Sequence, residues 1–152
     1  MNDLKDYYVF PRSFNALNFV IPKYDFKMDE RSSRLLSYIC KVVASKVDEV
    51  KKNGYVIIKF RTLQHELGLS SEVGNYNPGR NIKYPIQEAI RNVVIADQQE
   101  NFIITAHFKS KSSITFFLDN GYLKVRVKDK YLSVLEAKKY WKGVRLNENS
   151  DQ

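Results

Sequence analysis

Between Leu35 and Val50 the apolar residues Leu35, Leu36, Ile39, Val42, Val43, Val47 and Val50 recur at steps of three and four, with polar residues between them. That spacing lines one side of a 3.6-residue helix with aliphatic groups. It predicts a long amphipathic helix with Asp29 or Ser32 as N-cap, ended by Asn53-Gly54. Upstream, Tyr7-Tyr-Val-Phe10 and Leu17-Asn-Phe-Val-Ile21 are short aromatic and β-branched runs, each closed by a proline, Pro11 and Pro22. They read as edge strands, where a missing N–H is tolerated.

Downstream, Tyr55-Val-Ile-Ile-Lys-Phe60 has the β-branched density of a buried strand. Thr62 is the expected cap of a short helix, Leu63-Gln-His-Glu-Leu67, with Gly68 as its stop. A Ser-, Asn- and Gly-rich loop from Ser70 to Gly79 precedes a second helix starting near Pro85, with Ile86, Ala89, Ile90, Val93 and Val94 inward. Asn101 to Phe108 and Ser113 to Leu118 read as two strands of a hairpin whose tip is Lys109-Ser-Lys-Ser112. Asp119-Asn-Gly121 is a turn signal, and from Tyr122 to Lys128 the apolar Leu123, Val125 and Val127 alternate with Lys124, Arg126 and Lys128. A last helix, capped by Asp129, carries Leu132, Leu135 and Trp141 and ends at Gly143.

Helix, strand, short helix, loop, helix and hairpin is the element order of a winged helix. The expected fold is therefore α+β: a helix-turn-helix plus a β-hairpin wing, with extra N-terminal strands and a C-terminal strand and helix. No repeat or linker divides the chain, so one domain is expected over residues 1–146, followed by a polar tail at 147–152.

Composition narrows the function. The chain has 152 residues, 43% hydrophobic and 13% aromatic, which suits a folded globule that buries a core of its own. A single cysteine, Cys40, excludes an internal disulfide and leaves no cysteine cluster for zinc. No metal and no cofactor is expected. With no signal-peptide pattern at the N-terminus and no long apolar run, the expected location is the cytoplasm, away from membranes. The net charge is +8, and residues 107–145 hold ten Lys/Arg against three Asp/Glu, or 10 − 3 = +7. A basic excess concentrated in one segment favours a polyanionic partner such as nucleic acid.

The helix starting near Pro85 is the candidate contact element. With its aliphatic side inward, Lys83, Tyr84, Gln87, Glu88 and Arg91 face outward, and Arg80 and Asn81 lie just before it. Arg and Lys neutralise phosphates or donate to guanine, Gln and Asn pair with adenine, and free N–H groups at a helix start add a phosphate site. An ordinary solvated helix face has the same composition, and Glu88 opposes an anion. Lys109 and Lys111, at the expected wing tip, would reach phosphates. The Lys124, Arg126, Lys128 row has two readings: contact with a polyanion that screens the three charges, or lysines that protect an exposed sheet edge from pairing. Catalysis finds no support, since neither His65 nor His107 belongs to a paired motif and Cys40 falls on the inner face of the first long helix.

Several runs resemble a known family. Asn15-Ala-Leu17 and Tyr24-Asp-Phe-Lys-Met-Asp-Glu-Arg31, leading into Leu35-Leu-Ser-Tyr-Ile39, are similar to the opening of the N-terminal winged-helix domain of iteron-binding plasmid replication initiators. Gly121-Tyr-Leu-Lys-Val-Arg-Val127, Tyr131-Leu-Ser-Val-Leu135 and Lys139-Tyr-Trp-Lys-Gly-Val-Arg-Leu146 resemble that domain's closing strand and helix, while Phe60 to Leu69 and Ile82 to Val94 match its helix-turn-helix in pattern only. The resemblance implies a domain that dimerises and makes auxiliary backbone contacts with origin DNA, and it would place the basic strand row in a dimer sheet. The expected partners are double-stranded DNA and a second copy of the chain, with replication or phage and host proteins as further candidates. A non-catalytic docking module on the same scaffold is the other expectation, and the aromatics Tyr7, Tyr8, Phe10, Phe14 and Phe19 discriminate the two by where they go.

Overall fold

The structure, a computed structural model, describes residues 4–10, 18–25 and 27–137. A 3-10 turn, Leu4–Asp6, leads into β1 (Tyr7–Phe10), which pairs antiparallel with β2 (Phe19–Pro22). The helix α1 (Glu30–Ser45) starts at Asp29, whose carboxylate accepts from the Ser32 N–H at 2.9 Å. The single helix expected to Asn53 is two. Lys46, at φ −118° and ψ 32°, leaves helical geometry, and α2 (Val47–Asn53) follows and still buries Val50. Gly54, at φ 88°, then reverses the chain as a left-handed cap, a conformation that favours glycine.

Strand β3 (Tyr55–Lys59) passes directly into α3 (Phe60–Glu66). Thr62 is therefore inside the helix and does not cap it. The cap position belongs to Lys59, which makes no side-chain cap bond; the freed N–H of Phe60 instead donates to the Gly121 carbonyl at 3.0 Å, so a strand neighbour does what a capping side chain would. After the loop, a π-turn (Gly79–Lys83), with Ile82 buried, runs into α4 (Tyr84–Asp97), whose Ile86, Ala89, Ile90 and Val93 are buried.

The largest departure from the sequence reading follows β4 (Phe102–His107). Residues Ile114–Asn120 form a helix, α5, and no strand covers 113–118. The strand paired with β4 is β5 (Tyr122–Val127), so Lys109-Ser-Lys-Ser112 joins a strand to a helix and is not a hairpin tip. Ile-Thr-Phe-Phe-Leu is β-prone in isolation. Ser113 overrides it by accepting from the Phe116 N–H at 3.1 Å, and the helical turn drives Phe117 and Leu118 together into the core, where a strand would have split them between two faces.

β5 is central in an antiparallel sheet of order β3-β5-β4, with Leu123, Val125 and Val127 against the helices. Residues 129–137, α6, are helical, with Asp129 as the first helical residue and the Leu132 N–H bonded to Lys128, so Asp129 is not the cap. Trp141, the helix end at Gly143, the tail, Pro11, Phe14 and the Asn15-Ala-Leu17 run lie outside the described residues.

One core joins all of this. Leu35 and Ile39 of α1, Phe60 and Leu63 of α3, and Phe102 and Leu123 of the sheet are buried in a single cluster. A polar knot fixes the N-terminal hairpin to it: the Tyr131 hydroxyl donates to the Val20 carbonyl at 2.6 Å, Tyr7 donates to the Asn101 side chain, and Tyr24 donates to Asp97 at 2.8 Å. Cys40 is fully buried, and burial pushes its thiol up to about 12. Among the described residues no helix is long and apolar enough to cross a membrane, and no cluster of His, Cys, Asp or Glu is suited to a metal.

Candidate nucleic-acid interface

The aliphatic side of α4 is held in the core, which decides what its other side presents. Arg80, Asn81, Tyr84 and Arg91 are exposed, while Gln87 and Glu88 are half-buried. Arg80, Tyr84, Gln87 or Glu88, and Arg91 recur at steps of three and four, so they form one stripe along the helix. Neither Arg80 nor Arg91 forms an ion pair among the described residues.

Lys83 does not join that stripe. Its ammonium turns back to donate to the Ser112 carbonyl and sits 5.4 Å from the centre of the Phe117 ring. The expected outward Lys83 is thus a brace between the start of α4 and the β4–α5 connection, because a carbonyl and an aromatic face lie within reach of its long stem. The free N–H groups expected near Pro85 are also engaged. The Tyr84 N–H bonds to the Gly79 carbonyl, Asn81 N–H bonds to the Asn77 carbonyl at 2.9 Å, and Arg80 N–H bonds to the Asn77 side chain at 3.2 Å. The π-turn extends the helical stretch backwards to Gly79, so the chain does not begin a helix with open N–H groups near Pro85.

The brace has a second consequence: it ties Lys109-Ser-Lys-Ser112 to the start of α4. Lys109 and Lys111 are exposed there, with the Lys109 ammonium 5.5 Å from the Phe116 ring centre. Arg61, which sequence reasoning passed over, fixes the loop after α3 to α5. Its guanidinium donates to both oxygens of Glu72, each at 2.9 Å, and to Asp119 of α5. The guanidinium holds both carboxyls below their ordinary range, chiefly through these hydrogen bonds.

A second basic surface covers the outer face of the sheet. Cross-strand register builds it in three rows, Tyr55–Arg126–Ile103, Ile57–Lys124–Thr105 and Lys59–Tyr122–His107, and no carboxylate stands in any of them. Lys124 and Arg126 lie over the Tyr55 ring at 4.4 and 5.9 Å, and His107 stacks on Tyr122 with centroids 4.8 Å apart and an interplanar angle of 11°. Because β5 is the central strand, Lys124 and Arg126 do not guard a sheet edge, and that reading of the row falls. Lys128 lies just beyond the strand and is exposed. The last row opens onto a cleft of about 330 Å3 lined by His107, Phe108, Lys109, Phe116, Phe117 and Tyr122. Tyr55, Lys59, His107 and Tyr122 were missed as surface residues, although the alternation of Tyr55, Ile57 and Lys59 with Val56 and Ile58 marks that face in the sequence.

No family model, curated protein or solved structure matches the chain.

Proposed function

We propose that the chain is a non-catalytic winged-helix protein that binds duplex DNA, resembling the N-terminal domain of a plasmid replication initiator. The element order α1, β3, α3, α4, β4, β5 and the sheet order β3-β5-β4 support the fold, with α5 replacing a simple wing tip. The observation that carries the function is the exposed α4 stripe of Arg80, Tyr84 and Arg91, flanked by Asn81, Lys109 and Lys111. Arginines that form no ion pair among the described residues, on a helix anchored by its other side, supply phosphate contacts, and half-buried Gln87 contributes less than a fully outward glutamine would. The resemblance adds dimerisation to this reading.

The test is a mobility or anisotropy assay on random duplex across a salt series. Binding that weakens steeply with salt, with a log–log slope near −0.9 for each phosphate neutralised, supports the reading. Salt-independent binding, or no binding at low salt, overturns it.

The exposed aromatics favour a second reading, a docking module. Tyr7 is buried, but Tyr8 is 55% and Phe10 42% exposed, the latter stacked on Phe19 at 4.7 Å. A stable dimer or complex that persists while Arg80→Glu and Arg91→Glu leave biological activity intact selects docking over DNA contact.

A further inference from the structure

We infer that the outer face of the β3-β5-β4 sheet is a second nucleic-acid surface, selective for unpaired strands. It goes beyond the α4 reading and does not depend on it. Three observations converge. The first is charge: Lys59, Lys124 and Arg126 stand on one face with no carboxylate among its rows, and none forms an ion pair among the described residues. Asp119, which feels the charge of Lys59, is already bonded to Arg61. Such a row is stabilised by a polyanion following it.

The second is the presence of flat rings among the cations. Tyr122 and His107 are stacked nearly parallel, the His107 ring is held by a 3.0 Å bond between its Nε2 and the Thr105 hydroxyl, and His107 is exposed, which offers a flat ring to a base arriving from solvent. The third is the cleft at the end of the same row, where Phe116 is 40% exposed and Lys109 stands beside it. A duplex shows proteins only the edges of its bases, because their faces are covered by their neighbours. Ring stacking and insertion into an aromatic cleft are open only to bases that have left the helix. The combination of a cationic track with aromatic platforms is the chemistry by which unpaired nucleic acid is held.

The sheet face of a second copy is the competing occupant. A self-complementary contact between two such faces sets Lys59, Lys124 and Arg126 against the same residues of the partner, so charge opposes it.

The experiment measures fluorescence anisotropy of oligo(dT), about 12 nucleotides long to match a single-domain site, and of a mixed-sequence duplex, on the full chain. His107→Ala combined with Lys124→Gln removes a stacking ring and a cation, and is expected to weaken oligo(dT) binding by about tenfold or more. Duplex binding is expected to change by less than about twofold, and Arg91→Glu to do the reverse. A second variant, Lys124→Gln with Arg126→Gln, retains much of the aliphatic stems and is expected to lower the salt slope for oligo(dT) by about 0.7 for each phosphate no longer neutralised. Circular dichroism confirms that each variant is folded. Three outcomes overturn the inference: oligo(dT) affinity unchanged in both folded variants, equal weakening for duplex and single strand, or a wild-type dimer in sedimentation that these substitutions dissociate.

Discussion

An added Cβ at Gly121 would lie 2.5 Å from both the Phe117 carbonyl oxygen and Cδ2 of Phe60. Glycine is required there by close packing, since its φ of −75° is open to any residue. The same residue's carbonyl accepts the first N–H of α3, so the backbone cannot retreat without breaking that bond. Gly121→Ala is expected to cost about 1–3 kcal/mol by overpacking, read from chemical denaturation midpoints. Asp97 is a residue of a different kind, 1% exposed yet accepting from the backbone N–H groups of Asn101 and Phe102, the Asn101 amide and the Tyr24 hydroxyl. It lets the chain turn through Gln98 and Gln99, both at positive φ, straight into β4. Asp97→Ala leaves these donors unpaired in the interior, and the expected loss is about 3 kcal/mol in the same measurement.

At the scale of elements, α3, the loop after it and α5 are joined by Arg61 through Glu72 and Asp119. Both carboxyls have lower pKa values folded than unfolded, so below the ordinary carboxylate range the unfolded chain binds their protons more readily than the folded one. The contribution is complete above the unfolded value of about 4 and fades as pH falls through the lower folded values. Amide exchange in residues 70–78 is expected to speed up across that window relative to pH 7, beyond its intrinsic pH dependence, and Arg61→Ala to abolish the difference. The α4 stripe makes a second element-scale prediction that separates contact from bracing. Arg91→Ala is expected to flatten the salt slope of duplex binding by about 0.9, whereas Lys83→Ala leaves it unchanged, because the Lys83 ammonium is engaged with Ser112 and Phe117. Sequence periodicity located α4 correctly, since its inward aliphatics leave only one orientation. The position of the Lys83 side chain was not legible, because its partners are distant in sequence and lie on a segment whose helical state depends on the core.

For the whole molecule, the hairpin, the helices and the sheet share one core with Cys40 inside it. The thiol is fully buried and raised to about 12, so labelling by a disulfide reagent at neutral pH is expected to follow global unfolding. Labelling rates that rise in parallel with the denaturant unfolding curve meet the expectation; rapid labelling of the folded protein contradicts it. Local pattern alone was enough to place helical structure over Leu35 to Val50, without its break at Lys46, and over Ile86 to Val93, strands β1 to β5 and the burial of Cys40, because periodicity and β-branched density are read against a single apolar side. It took the packed fold to make 114–120 a helix, to put β5 at the centre of the sheet, to turn Lys83 back, and to set the outward Lys124 and Arg126 over Tyr55. Each of those outcomes depends on which distant group fills a space or satisfies a bond, and a linear pattern does not contain that information.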